Sequence, residues 1–321
     1  MSVKKNKPDK MYTHKNLMLS RIFNWRILAI IVLIFGIGLY SLISFVLANG
    51  VTKADREPFS HLPQEYNLEF QDVEFLTRGN NTTLRGWFIQ SANETHTLIF
   101  VHGLNNNRAG DEALDLASRL SKEGFSVLMF DLRGHGTSDD GRVSGGYFEQ
   151  NDLLGAYDFL VNRGVHSNQI GIVGFSLGAA ISILTAAKEP AIKAVVSDTT
   201  YADISDLIVQ EVDRTTSLPK WIIPIFKPGT ILVANLLYGI KIGELVPEQS
   251  VVDIKYPILI IHGMEDTRIP SAHSVRVHAA SHPDSEIWLV PNVEHIDSFL
   301  TYPDEYTDRL IDYFTKQLDQ P

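Results

Sequence analysis

The chain has 321 residues, 44% of them hydrophobic and 21% charged, with a formal net charge of −10. That composition suits one large folded domain or two smaller ones. There is no cysteine, which excludes thiolate-bound zinc, iron–sulfur clusters, disulfides and a cysteine nucleophile. The charge is uneven: residues 1–26 hold seven Lys or Arg against Asp9 alone, a local +6, leaving −16 on the rest. So acidic a remainder repels a phosphate backbone, and no nucleic-acid partner is expected.

Residues 1–26 show no periodicity and read as a basic cytoplasmic tail. Residues 27–47, from Ile27 to Leu47, are 21 residues without a charge. As a helix they would reach about 30 Å, the thickness of a bilayer's hydrocarbon core. The basic flank before this transmembrane helix puts the N-terminus in the cytoplasm and the remainder outside the cell membrane. A cleavable signal peptide ending near Val46-Leu47-Ala48 is the rival. The length of the apolar and basic runs favours an uncleaved single-pass anchor. Residues 48–66, with Pro58 and Pro63, read as a linker, and 67–320 as the folded domain.

Leu68–Leu76 and Leu84–Gln90 have strand patterns, joined through Gly79-Asn80-Asn81. Asn80, Asn81 and Asn93 each open an N-x-[ST] triplet, which matters only where exported chains are glycosylated. Thr97–His102 is a buried-type strand. Ala113, Leu116, Ala117 and Leu120 form a helical stripe that stops at Gly124. Phe125–Phe130 is the next strand, and it runs into the loop Asp131–Ser138. Leu153, Leu154, Tyr157, Leu160 and Val161 mark another helix. Ile170–Val173 is a strand, and Ala179, Ala180, Ile183, Leu184 and Ala187 recur at helical spacing just after it. Ala194–Ser197 is again strand-like.

Residues 199–250 then interrupt the alternation. They contain a helix near Ile204–Val212, the run Trp221–Phe226, and Ile231–Tyr238. Pro219, Pro224 and Pro228 are expected to break any long helix. This segment reads as a cap inserted above the site. Alternation resumes with the strands Pro257–His262 and Glu286–Val290. A last helix opens at Pro303-Asp304-Glu305, with Tyr306, Leu310, Tyr313, Phe314 and Leu318 on its apolar face. The fold class is therefore α/β, a mostly parallel sheet with helices on both faces. Functional groups belong at the carboxyl ends of its strands.

The stretch Gly174-Phe175-Ser176-Leu177-Gly178 sits where a strand turns directly into a helix. Glycines two before and two after Ser176 leave room for that turn, and expose a serine hydroxyl at a helix N-terminus. A serine needs a base to take its proton as it attacks. Here the chain resembles the α/β-hydrolase superfamily, closest to single-span membrane-anchored bacterial serine hydrolases of the serine-peptidase-like and esterase branch. The resemblance covers about residues 68–318. It implies an α/β-hydrolase fold in which Ser176 is the nucleophile.

The run His262-Gly263-Met264-Glu265-Asp266-Thr267-Arg268-Ile269-Pro270 matches the family's acid loop, which makes Asp266 the acid and His295 the base. The order Ser, Asp, His is the one this fold uses. By the same resemblance the backbone N–H groups of Leu104 and Leu177 form the oxyanion hole, and the Asp131–Ser138 loop is structural. His102 is expected to fix its loop rather than transfer protons. Asp198 and Asp297 are alternative acids, and His273, His278 and His282 alternative bases. No metal or cofactor is expected, since no histidines pair at ligand spacing on one element.

The activity implied is cleavage of carboxylic esters or thioesters, with a small-molecule or lipid-like ester as substrate. The same triad would serve a serine peptidase or an acyltransferase. A non-catalytic binding module on the same fold is the alternative of another class. Within the cap, Trp221 and Phe226 are the expected substrate-binding residues, selecting an apolar acyl or alkyl group.

Overall fold

A computed structural model describes residues 10–79 and 81–319, with side chains from Asn24 onward. Asn80, the first nine residues of the basic tail, and residue 320 at the domain's expected end lie outside the described residues. The eight strands are β1 (Phe70–Leu76), β2 (Thr83–Ile89), β3 (His96–Val101), β4 (Phe125–Phe130), β5 (Ile170–Phe175), β6 (Val195–Asp198), β7 (Leu259–Gly263) and β8 (Glu286–Val290). They form one sheet in the order β1-β2-β4-β3-β5-β6-β7-β8. The β1/β2 and β2/β4 pairs are antiparallel, and every later pair is parallel.

The helices are α1 (Lys10–Val51), α2 (Ala113–Lys122), α3 (Glu149–Asn162), α4 (Leu177–Ala186), α5 (Ile204–Thr215), α6 (Ile223–Tyr238), α7 (Pro247–Ser250), α8 (Ala272–Ala280), α9 (Ser298–Thr301) and α10 (Pro303–Leu318). Successive residues of a strand face opposite ways. On β3, Leu98 and Phe100 pack with Leu116 and Leu120 of α2 and Phe314 of α10. Ile99 and Val101 pack on the other face with Leu153 of α3 and Ile181 and Ile183 of α4. Both faces of β3, β4 and β5 are thus buried, so these strands read as continuous apolar runs rather than alternating ones.

α1 crosses both boundaries that composition suggests. It contains 42 residues and spans part of the basic tail, the whole apolar run and the first residues of the linker. Composition marks where polarity changes, but nothing between Lys10 and Val51 interrupts the backbone ladder, since no proline lies there. Among the described residues, one helical stretch, from Asn24 to Val51, is long and apolar enough to cross a membrane. The linker beyond it is tied to the sheet. The Arg56 guanidinium donates to the carbonyl oxygens of His135 (3.2 Å) and Gly136 (2.6 Å) and to Asp140 (2.6 Å). Asn107 holds the carbonyls of Glu57 and Pro58.

The 199–250 insertion departs from expectation in one respect. Its prolines do not limit it to short helices, because α6 runs 16 residues through Pro228. Pro224 falls in the first turn, where a missing N–H is harmless. Around Pro228 the ladder is repaired from outside. The Tyr40 hydroxyl of α1 donates to the Ile225 carbonyl (3.0 Å) and accepts from the Gly229 N–H (3.1 Å), standing between two groups that an unbroken helix would pair directly. The Tyr40 ring stacks on Phe226, with centroids 5.2 Å apart. Gly229 permits this approach, since a Cβ there would lie 2.1 Å from Ser44 Oγ. Leu47 of α1, Val212 of α5, and Ile223 and Phe226 of α6 close a small apolar core between the three helices.

Tyr40→Phe keeps the ring stack and removes the bridge. Leaving one donor and one acceptor without their partner costs about 1 kcal/mol, a Tm about 2–4 °C lower for a domain of this size. Thermal unfolding in detergent checks this, with Leu42→Phe, on the exposed side of α1, as the control. An unchanged Tm in Tyr40→Phe would show that the bridge contributes nothing.

Candidate active site

Ser176 follows β5 directly and precedes α4. Its backbone is at φ 53° and ψ −112°, a strained region for a side-chain-bearing residue. The flanking glycines are required by contact. A Cβ on Gly174 would lie 2.3 Å from the Gly178 carbonyl oxygen, and one on Gly178 would lie 1.9 Å from that of Val101. The Ser176 N–H donates to Asp198 O at 2.9 Å, which ties the turn to the end of β6. Thr199 (φ 63°), Ile296 (φ 64°) and Asn105 (φ 56°) are also left-handed. All lie in the loops that follow the carboxyl ends of strands, and two of them are β-branched, where this conformation is most costly.

His295 lies in the loop after β8, and Asp266 in the loop after β7. His295 Nε2 is 3.1 Å from Ser176 Oγ, and its Nδ1 is 2.7 Å from Asp266 Oδ2. The three expected residues therefore meet in one hydrogen-bonded line. With Nδ1–H given to the carboxylate, Nε2 is the acceptor for the serine hydroxyl. Asp266 Oδ1 accepts the backbone N–H groups of Arg268 (2.7 Å) and Ile269 (2.8 Å). Burial opposes charge on this carboxyl, yet the hydrogen bonds from His262, His295 and the Ile269 N–H outweigh it. They hold Asp266 well below the usual carboxylate range.

His262 is the residue that the sequence reading left without a role. Its Nε2–H donates to Ile269 O (2.8 Å) and stands 3.3 Å from Asp266 Oδ2, while its Nδ1 accepts from Ser274 Oγ (2.6 Å). It stitches the acid loop into shape. Its signal was its place at the head of the His262–Pro270 motif.

The alternatives point elsewhere. Asp198 accepts from Tyr306 Oη and Thr199 Oγ1, both at 2.9 Å. Burial pushes its pKa up to about 6 despite those two bonds. Asp297 is exposed at the start of α9. His273 accepts from the Ala202 N–H, His278 donates to Ser285 O, and His282 accepts from the Asp284 N–H. His102 is a loop-fixing residue: its Nδ1–H donates to Gly103 O (2.7 Å) and its Nε2 accepts from the Leu132 N–H (3.0 Å). The Asp131–Ser138 loop is likewise self-bracing. Asp131 accepts the N–H groups of Arg108 and Thr137, and Arg133 pairs with buried Asp152.

A cavity of about 120 Å³ lies over Ser176, with Leu104 and Leu177 in its wall. Leu177 opens α4, where the first N–H groups have no intrahelical acceptor. The remaining wall is largely apolar: Leu207 and Ile208 of α5, Ile231 and Ala234 of α6, and Val51 at the end of α1. The two expected substrate-binding residues are not in it. Trp221 precedes α6 and is 75% exposed, and Phe226 is turned towards Tyr40 of α1. A run of large apolar residues does not tell which of them face inward. Val51 and Thr52 carried no local signal, because their place in the wall depends on a contact between chain segments far apart in sequence. Among the described residues, no group of three His, Asp or Glu side chains is placed to hold a metal ion.

Comparison with known proteins agrees with this architecture. Residues 96–225 match the family model described as the alpha/beta hydrolase fold. The chain has the α/β-hydrolase fold and resembles that family, which supports a hydrolase function. Escherichia coli K12 YfhR is 27% identical over 259 residues, covering 78% of this chain and 82% of YfhR. The lysophosphatidylserine lipase ABHD12 of Macaca fascicularis is 26% identical over 218 residues, covering 64% of this chain and 52% of that protein. The Pyrococcus furiosus esterase Pf2001 superposes with a TM-score of 0.68 at 24% identity, over 83% of this chain and 99% of the esterase.

Burial, followed by the neighbouring charge of His135, lowers the His102 pKa to about 3 from an ordinary 6.5. The unfolded chain therefore takes up a proton near pH 6.5 that the folded ring refuses. Stability falls as pH drops through that window, by up to about 1.4 kcal/mol per pH unit for this group. His102→Gln, with a donor and an acceptor but no titration, is expected to flatten the slope between pH 6.5 and 4. Urea unfolding at a series of pH values checks it, and an unaltered slope would remove His102 as a source of acid sensitivity.

Proposed function

We propose that this protein is a membrane-anchored serine hydrolase that cleaves carboxylic esters or thioesters carrying an apolar acyl group. The observation that carries this reading is the line Asp266–His295–Ser176, with contacts of 2.7 and 3.1 Å. Ser176 Oγ attacks the carbonyl carbon as His295 Nε2 takes its proton. The tetrahedral oxyanion is held by the N–H groups of Leu104 and Leu177. Collapse expels the alcohol or thiol, which leaves with the proton from His295, and the acyl group stays on Ser176. Water repeats the sequence: His295 takes its proton, the hydroxide attacks the acyl carbon, and Ser176 Oγ leaves with that proton. Asp266 keeps its charge throughout and stabilises the imidazolium.

The apolar wall over Ser176 supports an acyl chain as the group bound there. The named activities of Pf2001, an esterase, and ABHD12, a lysophosphatidylserine lipase, support an ester bond as the target. Retention of α1 as an anchor is supported by its packing. Cleavage after Ala48 would remove Tyr40, Ser44 and Leu47 and expose the core they share with α5 and α6. The +6 flank supports a cytoplasmic N-terminus, with the catalytic domain outside the cell membrane. The 199–250 segment then serves as a cap.

Ser176→Ala and Asp266→Asn should each lower kcat/KM on p-nitrophenyl esters by about 10⁴-fold or more, while Asp198→Asn stays within about tenfold of wild type. A fluorophosphonate probe should label wild type and not Ser176→Ala. Labelling of Ser176→Ala, or an Asp198→Asn as damaged as Asp266→Asn, would sink the assignment.

Each added substrate methylene should raise kcat/KM about fourfold until the cavity is full. Ile208→Trp should bring that limit to shorter chains, and Trp221→Ala should leave it unchanged for esters presented in solution. An identical chain-length profile for Ile208→Trp and wild type would mean that α5 takes no part in selection.

A further inference from the structure

From Ile27 to Leu39 every α1 residue is exposed, with no protein packed against it. From Tyr40 the pattern changes. Tyr40, Ile43, Ser44, Leu47, Ala48 and Val51, spaced as one helical face, turn towards the insertion, while Leu42, Phe45 and Val46 stay exposed on the other side. The uncovered part of the charge-free run, Ile27 to Leu39, is thirteen residues, about 20 Å at 1.5 Å per residue. A bilayer's hydrocarbon core needs about 30 Å. An α1 that crosses it must therefore use residues as far as about Leu47, and at that depth α6 is already packed against it.

The outward face of α6 has the composition this position requires. Trp221, just before α6, and Ile225, Leu232 and Leu236 within it form a stripe, each more than half exposed, and Pro228 is exposed among them. Lys227 is the one charged residue in α6. The opposite face carries Thr230, Ile231 and Ala234 of the cavity wall. The Tyr40 bridge and the close approach at Gly229 fix the stripe's direction relative to α1.

We infer that α6 is seated in the lipid bilayer beside α1, with the Trp221–Leu236 stripe in the acyl region of one leaflet, so that the cap loads an amphiphilic ester from the membrane rather than from water. This rests on the reading of α1 as a membrane span and of the site as an esterase. The occupant of the stripe is a phospholipid surface, which is continuous with the lipid already around α1. An exposed apolar stripe of this length is otherwise unexplained on a soluble face.

The absence of native cysteine allows a direct test on the full-length chain in phosphatidylcholine–phosphatidylglycerol nanodiscs. Single cysteines at Ile225→Cys, Leu232→Cys and Leu236→Cys would carry an environment-sensitive fluorophore. Leu33→Cys reports the span, and Lys122→Cys, on α2, reports water. Nitroxide-labelled lipid should quench the α6 probes to within about twofold of Leu33→Cys, and leave Lys122→Cys unquenched. If Leu33→Cys is quenched and the α6 probes behave like Lys122→Cys, the seating is wrong while the span stands. If Leu33→Cys is unquenched as well, the span itself fails and the inference with it. Unquenched α6 probes that cross-link between chains would assign the stripe to a second copy and overturn the inference. In function, the double variant Leu232→Glu/Leu236→Glu should lose about tenfold or more in hydrolysis of a long-chain monoacylglycerol held in vesicles, and stay within about twofold of wild type on soluble p-nitrophenyl butyrate. Equal loss on both substrates, or none on either, would count against loading from the membrane.

Discussion

The carboxyl end of this sheet depends on how closely the start of α4 approaches the end of β3. The Gly178 backbone lies so near the carbonyl of Val101 that no side chain fits between them. That contact forces the chain to turn within one residue, and the residue that turns is Ser176, held in a left-handed conformation. The strain is offset by the surrounding sheet, including the bond from the Ser176 N–H to Asp198. The same closeness brings the loop after β3 beside the first turn of α4, which is why Leu104 and Leu177 share one cavity with Ser176. A looser packing would disperse the hydroxyl and both N–H groups together.

Two buried carboxyls near this end show how environment assigns roles. Asp198 and Asp266 are both screened from water, and burial alone would raise the pKa of each. Asp198 meets two hydroxyls and stays raised, whereas Asp266 meets two backbone N–H groups and two imidazoles and stays low. The second environment holds the carboxylate that touches His295 ionised far below neutral pH. The difference lies in the Asp266 loop, which folds back so that Arg268 and Ile269 aim their N–H groups at the carboxylate, with His262 holding the loop from beneath.

What the sequence made legible was whatever local spacing controls. The strands, the turn at Ser176 and the His262–Pro270 loop each leave a signal in residue spacing within about ten positions, even where distant contacts such as Gly178 against Val101 complete them. Composition and motif therefore placed them to within a residue or two. Contacts between distant segments carried no such signal. Pro228 reads as a helix breaker until Tyr40, 189 positions from Gly229 in the chain, supplies a partner to the Gly229 N–H. Phe226 and Trp221 look alike in an apolar run, yet one faces α1 and the other is exposed. The face that α1 turns to the insertion is not marked in the apolar run, because large apolar residues such as Leu42, Phe45 and Val46 stand on its other side as well.

That face changes what the N-terminal helix is for. A tether needs only length and apolarity, and could end anywhere after the bilayer. α1 instead ends at Val51 inside the cavity wall, and Thr52 continues the chain into backbone pairing with Val143. Arg142 reaches back to Asn49 and Thr52 and lies 3.7 Å from the Tyr238 ring centroid, joining the end of α1 to the end of α6. The helix is thus held at two levels, by Tyr40 within α6 and by Arg142 below it. Tilting α1 about the lower point would pull the Tyr40 hydroxyl out of the α6 ladder. α1 and α6 must therefore move as one body, and any motion of α6 that widens the cavity carries α1 with it.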